Sequence, residues 1–576
     1  MADAATAPMS PEEKHRMREL LSTMHKLSKE LPASKRIVRQ TAYEVAGQRL
    51  VSWKSNEYLY KRDPCPLPTR ARGLFTGGPE GDETIVARGY DKFFNIGEVA
   101  RTKWDWIETH TRGPYELSVK EDGYLILAAG IDEGRTLLVT SKHAVNVPQS
   151  EAALAWAQRH LAQVGRSAEE LAGFLHENSA TAVFELCDDE FEESILEYPD
   201  RTRGLYLHGI IRNSVDQAMW PSAEVTRVAE RFGFHATQYF TFDSAAEGRT
   251  FADQVRRDHA LDGRAIEGFV VRCQTAADER PFMFKIKFDS YMLFHEWRDM
   301  TNYVVANKSF RTRYALTEQY AAWVREQLKA NPEAFDQFKE NKGIIAARKR
   351  FIEYYLAHDN GCAEEVYEPT KVALRVLLMP VATIGCGKTT VALALSALFG
   401  VGHVQSDGAM AKKKPNGTFH GAVLRALENH TFVFADRTNY MAEVRQSLTA
   451  DIHDKLPGCR IVALYWPHDR ASEDTLLAAA AAHSDPCGEE YRGVVRSQLR
   501  RFEPLDLESI SDGLVDEVIE LDPLADAATN LQAAVDGLCA LFPGALQPPS
   551  PADVARALET ALQQKPTLHM NVGGQS

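Results

Sequence analysis

Lys120-Glu121-Asp122-Gly123 sets an amine, two carboxylates and a glycine in a row at the hinge between two apolar strands. A lysine placed there can attack the α-phosphate of ATP and carry the nucleotide as a covalent adduct, provided burial or nearby cations lower its pKa, while the glycine lets the backbone approach the nucleotide. Four residues are a weak signal, and a surface turn between strands is the alternative. The order of the companions strengthens it. Glu185 in Val-Phe-Glu-Leu lies 65 residues on, Glu267 in Glu-Gly-Phe-Val-Val a further 82, and Lys285 and Lys287 in Phe-Lys-Ile-Lys follow by 18 and 20. The two glutamates can hold a ribose and Mg²⁺, which takes few protein carboxylates when it bridges phosphates. The two lysines alternate on one strand face and point together towards a triphosphate. For any one of these residues an ordinary strand-edge charge would do; the ordered set calls for nucleotidyl transfer.

A second set begins at Ala382-Thr383-Ile384-Gly385-Cys386-Gly387-Lys388-Thr389, after an apolar strand and at the start of an Ala/Leu-rich helix. Backbone N–H groups there can cradle phosphates, Lys388 can reach the β and γ groups, and Thr389 can serve Mg²⁺, with Gly385, Gly387 and Thr390 completing the nucleotide site. Ala382 stands where the first glycine of such a loop is usual. Further on, Asp407 follows His403-Val404-Gln405-Ser406, and Asp436-Arg437-Thr438-Asn439 ends a buried strand. A kinase acting on a hydroxyl needs a carboxylate for the proton and a cation for the moving phosphate. Asp407 suits the first role and Arg437 the second; a helix N-cap is the alternative for Asp407.

These sites need scaffolds, and 576 residues exceed one hydrophobic core, so two to four domains are expected. The segment 115–287 reads as β-rich, with runs such as Glu116–Ile131, Ala180–Asp188 and Pro281–Phe288 bounded by turn residues. From Ser290 the periodicity becomes helical to near His358, and beyond Pro369 short apolar strands alternate with helices. The expected domains are an antiparallel β-rich nucleotidyltransferase over 1–290, a helical module over 291–360, a P-loop α/β kinase over 361–545 and a loose tail over 546–576, making a multidomain α+β and α/β chain. No apolar run of about 18 residues and no secretory leader occurs, so no membrane contact is expected and the cytoplasm or nucleus is the expected location. The eight cysteines show no C-x-x-C spacing and read mostly as buried thiols. A net charge of -14 looks wrong for a phosphate-binding protein, but eleven acidic against two basic residues after Pro504 account for -9 of it. The remainder is close to neutral and can hold basic grooves.

Taken together the motifs resemble the fungal and plant type of tRNA ligase, within the covalent nucleotidyltransferase superfamily that includes DNA ligases and mRNA capping enzymes. Arg72-Gly73-Leu74-Phe75, Lys92-Phe93-Phe94-Asn95, Ser141-Lys142-His143, Glu185-Leu186-Cys187-Asp188-Asp189 and Arg203-Gly204-Leu205-Tyr206-Leu207-His208 extend that similarity over about residues 40–320. The resemblance implies Lys120 as AMP acceptor, Glu185 and Glu267 as nucleotide and metal ligands, Lys285 and Lys287 as phosphate contacts, and Arg72 and Lys142 as further nucleotide contacts. It implies that the helical module recognises an RNA end with a terminal 2'-phosphate, for which Arg298, Arg311 and Arg313 are candidates beside a plain solvated helix face. In the second half, Ile384–Thr389, Gln405-x-Asp407 and Asp436-Arg437-x-Asn439 resemble the kinase domain of fungal tRNA ligases, which favours GTP as donor and leaves ATP open.

The expected partners are RNA, tRNA halves above all, and the chain is expected to be a monomer. Where such kinases carry a basic lid this chain has Ala478–Ala482 and His483-Ser484-Asp485-Pro486, a departure that keeps an inactive kinase in play. Fungal tRNA ligases also have a cyclic phosphodiesterase domain with two His-x-Thr or His-x-Ser motifs, which this sequence lacks; either a separate protein supplies that step or the chain is incomplete. The rival readings are a capping-type nucleotidyltransferase or DNA ligase, and an RNA-binding scaffold with a decayed kinase half. Against the first, no oligonucleotide-binding barrel is evident after Lys287 and a P-loop kinase follows.

Overall fold

The computed structural model describes residues 10–29, 36–61, 64–79, 83–308, 310, 312–358, 361–406, 415–456, 458–468, 471–482, 489–507, 509, 511–542 and 545–564. The chain divides into two compact units, Met1–Ala306 with Leu316–Thr370, and Asn307–Ala315 with Lys371–Ser576.

The first unit holds three mostly antiparallel sheets, one of four strands and two of five. Two of them make the site. One runs in the order Tyr239–Phe242, Thr111–Val119, Gly268–Thr275, Pro281–Lys287, Phe94–Asn95; the other in the order His235–Ala236, Gly204–Arg212, Ala180–Cys187, Tyr124–Ile131, Thr136–Ser141. Each buries one apolar face under helices. Leu117, Phe269, Val271 and Phe284 pack with Ala252 and Val255 of the helix Ala245–Asp258. Ile126, Phe184, Leu186 and Leu207 pack with Leu161, Leu171, Leu175 and Phe232 from three helices. Burying such side chains stabilises by roughly 1.5–3 kcal/mol each, and that fixes which strand face is left for chemistry.

The helical stretch forms as expected, with helices Asp289–Val305, Ala315–Ala330 and Ile344–Ala357. Trp297 stacks on Tyr320 with ring centres 4.6 Å apart, and Phe351 meets both edge-on. One part of the expectation fails. Residues 307–315 belong with the second unit, where Val372 N donates to Arg313 O at 2.9 Å.

The second unit is a five-stranded parallel sheet ordered Gly402–Gln405, Phe432–Asp436, Arg375–Val381, Cys459–Tyr465, Glu517–Glu520. Along the central strand Val376 and Leu378 join one core and Leu377 and Met379 the other, because alternate side chains face opposite ways and both faces are covered. The expected loose tail does not hold for residues 551–564. They form the helix Pro551–Gln564, whose Val554, Ala557 and Ala561 share a core with Val391 and Leu395 of the helix Lys388–Phe399. Prolines over 543–551 signalled a loose segment, yet proline also suits the first turn of a helix, and the i, i+3, i+7 apolar spacing then buries one stripe. No helix among the described residues is long and apolar enough to cross a membrane. Among the described cysteines, Cys187, Cys273, Cys459 and Cys539 are buried free thiols.

Candidate functional site

The chain leaves one five-stranded sheet at Val119 and enters the other at Tyr124, so Lys120–Gly123 crosses the seam between them. Lys120 N donates to Gly268 O at 3.0 Å, which brings the turn beside Glu267. Strand register pairs Gly268 with Lys287 and Val270 with Lys285, and the period of two sets both lysines on one face. Lys120 Nζ donates to Glu267 Oε2 at 2.8 Å, and Lys287 Nζ lies 2.6 Å from Glu267 Oε1. One buried carboxylate therefore holds two ammonium groups. Glu185, from the other sheet, accepts from Gly123 N at 3.2 Å and has His208 Nε2 3.8 Å away. Arg72 and Lys142 meet on Glu57, with the Arg72 contact at 3.1 Å. Arg72, Tyr90, Lys120, Glu185, Val270, Arg272 and Lys285 line one pocket. All seven nucleotide-site residues expected of this half are thus near neighbours.

Two details differ from expectation. A Cβ on Gly123 would collide with the Leu186 carbonyl, so the glycine is required by the neighbouring strand rather than by a nucleotide. Lys120 does not have a lowered pKa: burial pushes it down, but Glu267 and Glu185 outweigh burial and hold it above the usual lysine value. The missed signal is spatial, since Glu267 reads as a metal ligand in sequence and nothing there says it touches Lys120.

Burial pushes the Glu185 carboxyl up to about 7. Glu57 goes the other way, down to about 2, because Arg72 and Lys142 overcome its burial. Lys285 is pushed down to about 7 by burial and by Lys287, Lys92 and Lys120. That last shift has a stability consequence. The folded state disfavours the charged amine, so the cost is fully present below pH about 7 and vanishes above the unfolded pKa of about 10.4. Lys285→Met is expected to raise the melting temperature at pH 6 and leave it nearly unchanged at pH 10.5, while weakening ATP binding; an equal rise at both pH values would show that the gain is not electrostatic.

Among the described residues no cluster of three or more His, Cys, Asp or Glu could hold a metal. Glu185 and Glu267 fit instead a Mg²⁺ that takes its other ligands from nucleotide phosphates and water.

In the second unit the loop after Val381 turns through Gly385 and Gly387 at φ +87° and +80°, a left-handed conformation that favours glycine. A Cβ on Gly385 would come within 2.8 Å of Ala480 Cβ and 2.9 Å of Tyr491 Oη. Ala480 belongs to the helix Glu473–Ala482, so the expected lid segment meets the loop through apolar packing; His483–Pro486 lie outside the described residues. Lys388 Nζ donates to Thr383 O at 2.6 Å, and Thr389 Oγ1 donates to Asp436 Oδ2 at 2.7 Å. His403 Nε2 lies 3.0 Å from the same Asp436 oxygen. Thr390 is buried in the helix. A hydroxyl and a carboxylate side by side fit Mg²⁺ shared with phosphates.

Asp436-Arg437-Thr438-Asn439 is pinned by Asn439 Nδ2 donating to Pro380 O at 2.8 Å and by Thr438 O accepting from Ala382 N at 2.9 Å. Ala382 is fully buried in that contact. Arg437 is half-buried, its guanidinium 5.8 Å from the Phe419 ring centre. Asp407 lies outside the described residues, as does Arg311. Arg298 is held by Asp299 at 2.8 Å and His295 at 3.0 Å, whereas Arg313 stands in the second unit.

The sequence matches the family described as RNA ligase over residues 70–293 and the family described as tRNA ligase kinase domain over residues 377–475. A Schizosaccharomyces pombe protein named tRNA ligase 1 is 36% identical over 547 residues, an alignment covering 88% of this chain and 68% of that protein. The chain belongs to the tRNA ligase family. A Candida albicans tRNA ligase is 29% identical over 604 residues, covering 91% of this chain and 72% of its own. Among solved structures, a fungal RNA kinase aligns with 34% of this chain and all of its own at 24% identity, with a TM-score of 0.31.

This tRNA ligase therefore has both an RNA ligase domain and a kinase domain, which answers the capping-enzyme and DNA-ligase readings. The kinase domain is present as a family match, and the decayed-kinase reading finds no support. The motifs gave no role to His208 and His403, although both stand in quoted runs, and Glu57 and Arg272 reach the ligase site from segments without a pattern of their own. They also gave Asp436 no role. The signal was there: a carboxylate at the C-terminal end of a parallel strand beside a phosphate loop sits where such sheets bind ligands.

Proposed function

We propose that this tRNA ligase joins tRNA halves by charging Lys120 with AMP, moving that AMP to an RNA 5'-phosphate, and sealing the activated end to a 3'-hydroxyl that neighbours a 2'-phosphate. The contact of Lys120 with Glu267, shared with Lys287 and faced by Glu185, carries the reading. The Lys120 ammonium first loses a proton to solvent, the free amine bonds to the α-phosphorus of ATP as the bond to pyrophosphate breaks, and a second proton leaves to solvent to give the neutral phosphoramidate nitrogen. Glu267 holds the first of these protons on Lys120 until its charge is turned elsewhere, and Glu185 and Glu267 are the groups placed to hold Mg²⁺. When bound, the ion supplies positive charge against the phosphates. Lys285, Lys287, Arg72 and Lys142 steady the triphosphate, and Arg298 is the remaining described candidate for the RNA end.

The kinase domain supplies the 5'-phosphate from GTP, or ATP, with Gly385, Gly387, Lys388, Thr389 and Thr390 around the donor phosphates. Thr389 beside Asp436 would share Mg²⁺ with the phosphates, and Arg437 and Asp407 are assigned to the moving phosphate and to the proton of the 5'-hydroxyl. Work as a monomer in the cytoplasm or nucleus completes the reading. Offering the protein labelled ATP, GTP, Mg²⁺ and two RNAs, one with a 5'-hydroxyl and one with a 2'-phosphate and 3'-hydroxyl, is expected to give a covalent AMP–protein adduct and a joined RNA. Joining with no adduct at any time would overturn the lysine route.

A further inference from the structure

Residues 188–200 form neither helix nor strand, so their course is set by what they touch; besides Trp156, Arg203 and Tyr124 they meet the catalytic turn and the helical module. On one side is the catalytic turn. Asp122 Oδ2 accepts from Ile195 N at 2.7 Å and Leu196 N at 2.8 Å, and Tyr198 Oη accepts from Asp122 N at 2.8 Å while donating to Glu121 Oε2 at 2.9 Å. On the other side is the helical module. Glu193 Oε2 accepts from Ile345 N at 3.0 Å, Glu193 N donates to Asn341 O at 2.8 Å, and Asn341 Nδ2 donates to Glu192 Oε2 at 3.0 Å. Arg348 donates to Ile195 O, and Lys349 Nζ lies 2.6 Å from Glu197.

Asp122 closes the circuit. Its other oxygen, Oδ1, accepts from Tyr291 Oη at 2.9 Å, and Tyr291 starts the helix that carries Arg298 seven residues, about two turns, further along the same face. Around Asp122, Tyr198 and Tyr291 the network is buried and has few acceptable arrangements, because each broken bond there leaves a desolvated group unpaired, while Glu193 and Asn341 at its outer end are half-buried. A shift of the module at either Tyr291 or Ile345 is therefore felt at the turn beside Lys120.

We propose that residues 188–200 are a strap through which docking of an RNA end on the helical module positions the Lys120–Asp122 turn for the RNA-dependent steps, with Glu193 as a positioning residue. The proposal rests on the reading of Lys120 as AMP acceptor and of the module as the RNA-end site. In it, adenylation by ATP alone does not need the strap's outer contacts, whereas sealing does.

The test uses the full chain and Glu193→Ala, with three readouts: the rate of Lys120–AMP formation, the rate of sealing a preadenylated RNA to an acceptor with a 2'-phosphate and 3'-hydroxyl, and the melting temperature. Adenylation is expected within about twofold of the unsubstituted protein and sealing about tenfold slower, the factor one hydrogen bond's worth of positioning carries. Glu193→Gln, which keeps an acceptor for Ile345 N, is expected to restore sealing. Sealing at the normal rate, or both steps slowed by the same factor as in a purely structural role, overturns the strap. If Glu193→Ala does not fold, Tyr291→Phe, which deletes one hydroxyl, is read the same way: its ratio of sealing to adenylation must fall. An unsubstituted protein that forms no Lys120–AMP overturns the underlying reading and the strap with it, whereas normal adenylation with an unchanged ratio overturns the strap alone.

Discussion

Lys120→Arg is expected to leave no detectable AMP on the protein while its melting temperature stays near normal and its kinase activity persists. Arginine remains protonated and cannot attack phosphorus, yet it can still pair with Glu267, which meets Lys120 Nζ at 2.8 Å. The substitution thus separates chemistry from electrostatics. Lys120→Ala would not, because it strips one partner from a carboxylate only 1% exposed, a loss that costs several kcal/mol in its own right. The measurement is acid-labile label from α-labelled ATP, taken beside a melting curve. An undiminished adduct on Lys120→Arg would place the acceptor elsewhere.

In the other half of the chain, Lys388→Ala should abolish transfer of phosphate to a 5'-hydroxyl RNA and spare AMP charging of Lys120. Lys388 Nζ sits on the Thr383 carbonyl inside the loop, so its removal takes away both a loop contact and the charge meant for the β and γ phosphates. Asp407→Ala separates two readings of that residue. A general base contributes about a hundred- to ten-thousand-fold in rate, whereas a lost N-cap costs about 1 kcal/mol of stability and little activity. Phosphate transfer measured beside thermal unfolding distinguishes them. Near-normal transfer by Asp407→Ala would remove it from the chemistry and turn attention to Asp436, which already holds Thr389 Oγ1 at 2.7 Å.

The legible parts of the chain were those that repeat a period or keep an order. Lys285 and Lys287 could be set on one face because a strand alternates, and the register Gly268–Lys287 and Val270–Lys285 carries that through. The alternation of apolar runs with helices likewise announced the parallel sheet of the second unit. Contacts made across long stretches of chain left no such trace. Glu57 joins Arg72 and Lys142 from 15 and 85 residues away, and nothing about Glu57 in sequence points to them. Arg445 reads as one more charge on a helix, yet it is fully buried with its Nε 2.6 Å from Asp512, 67 residues on.

Helical periodicity identified the segment around Arg313 without saying which core it would join, because a short connecting stretch has too few apolar residues to declare a side. Lys120 shows the same limit in electrostatics: the need for a reactive amine follows from the chemistry, but the carboxylate that opposes it had to be found in space.

The helix Pro551–Gln564 lies against the helix that begins at Lys388 and against Ala527–Leu541. Some 160 residues of sequence thus separate two walls of one apolar layer. During synthesis the ribosome must deliver the second wall long after the first, and Val391 and Leu395 stay uncovered on that side until it does. The kinase half then passes through a nascent, sticky intermediate of its own, while the ligase half ahead of it can already have closed. Anyone expressing the kinase half alone inherits the same condition: a fragment that stops at 545 would carry an open trench along the phosphate-loop helix.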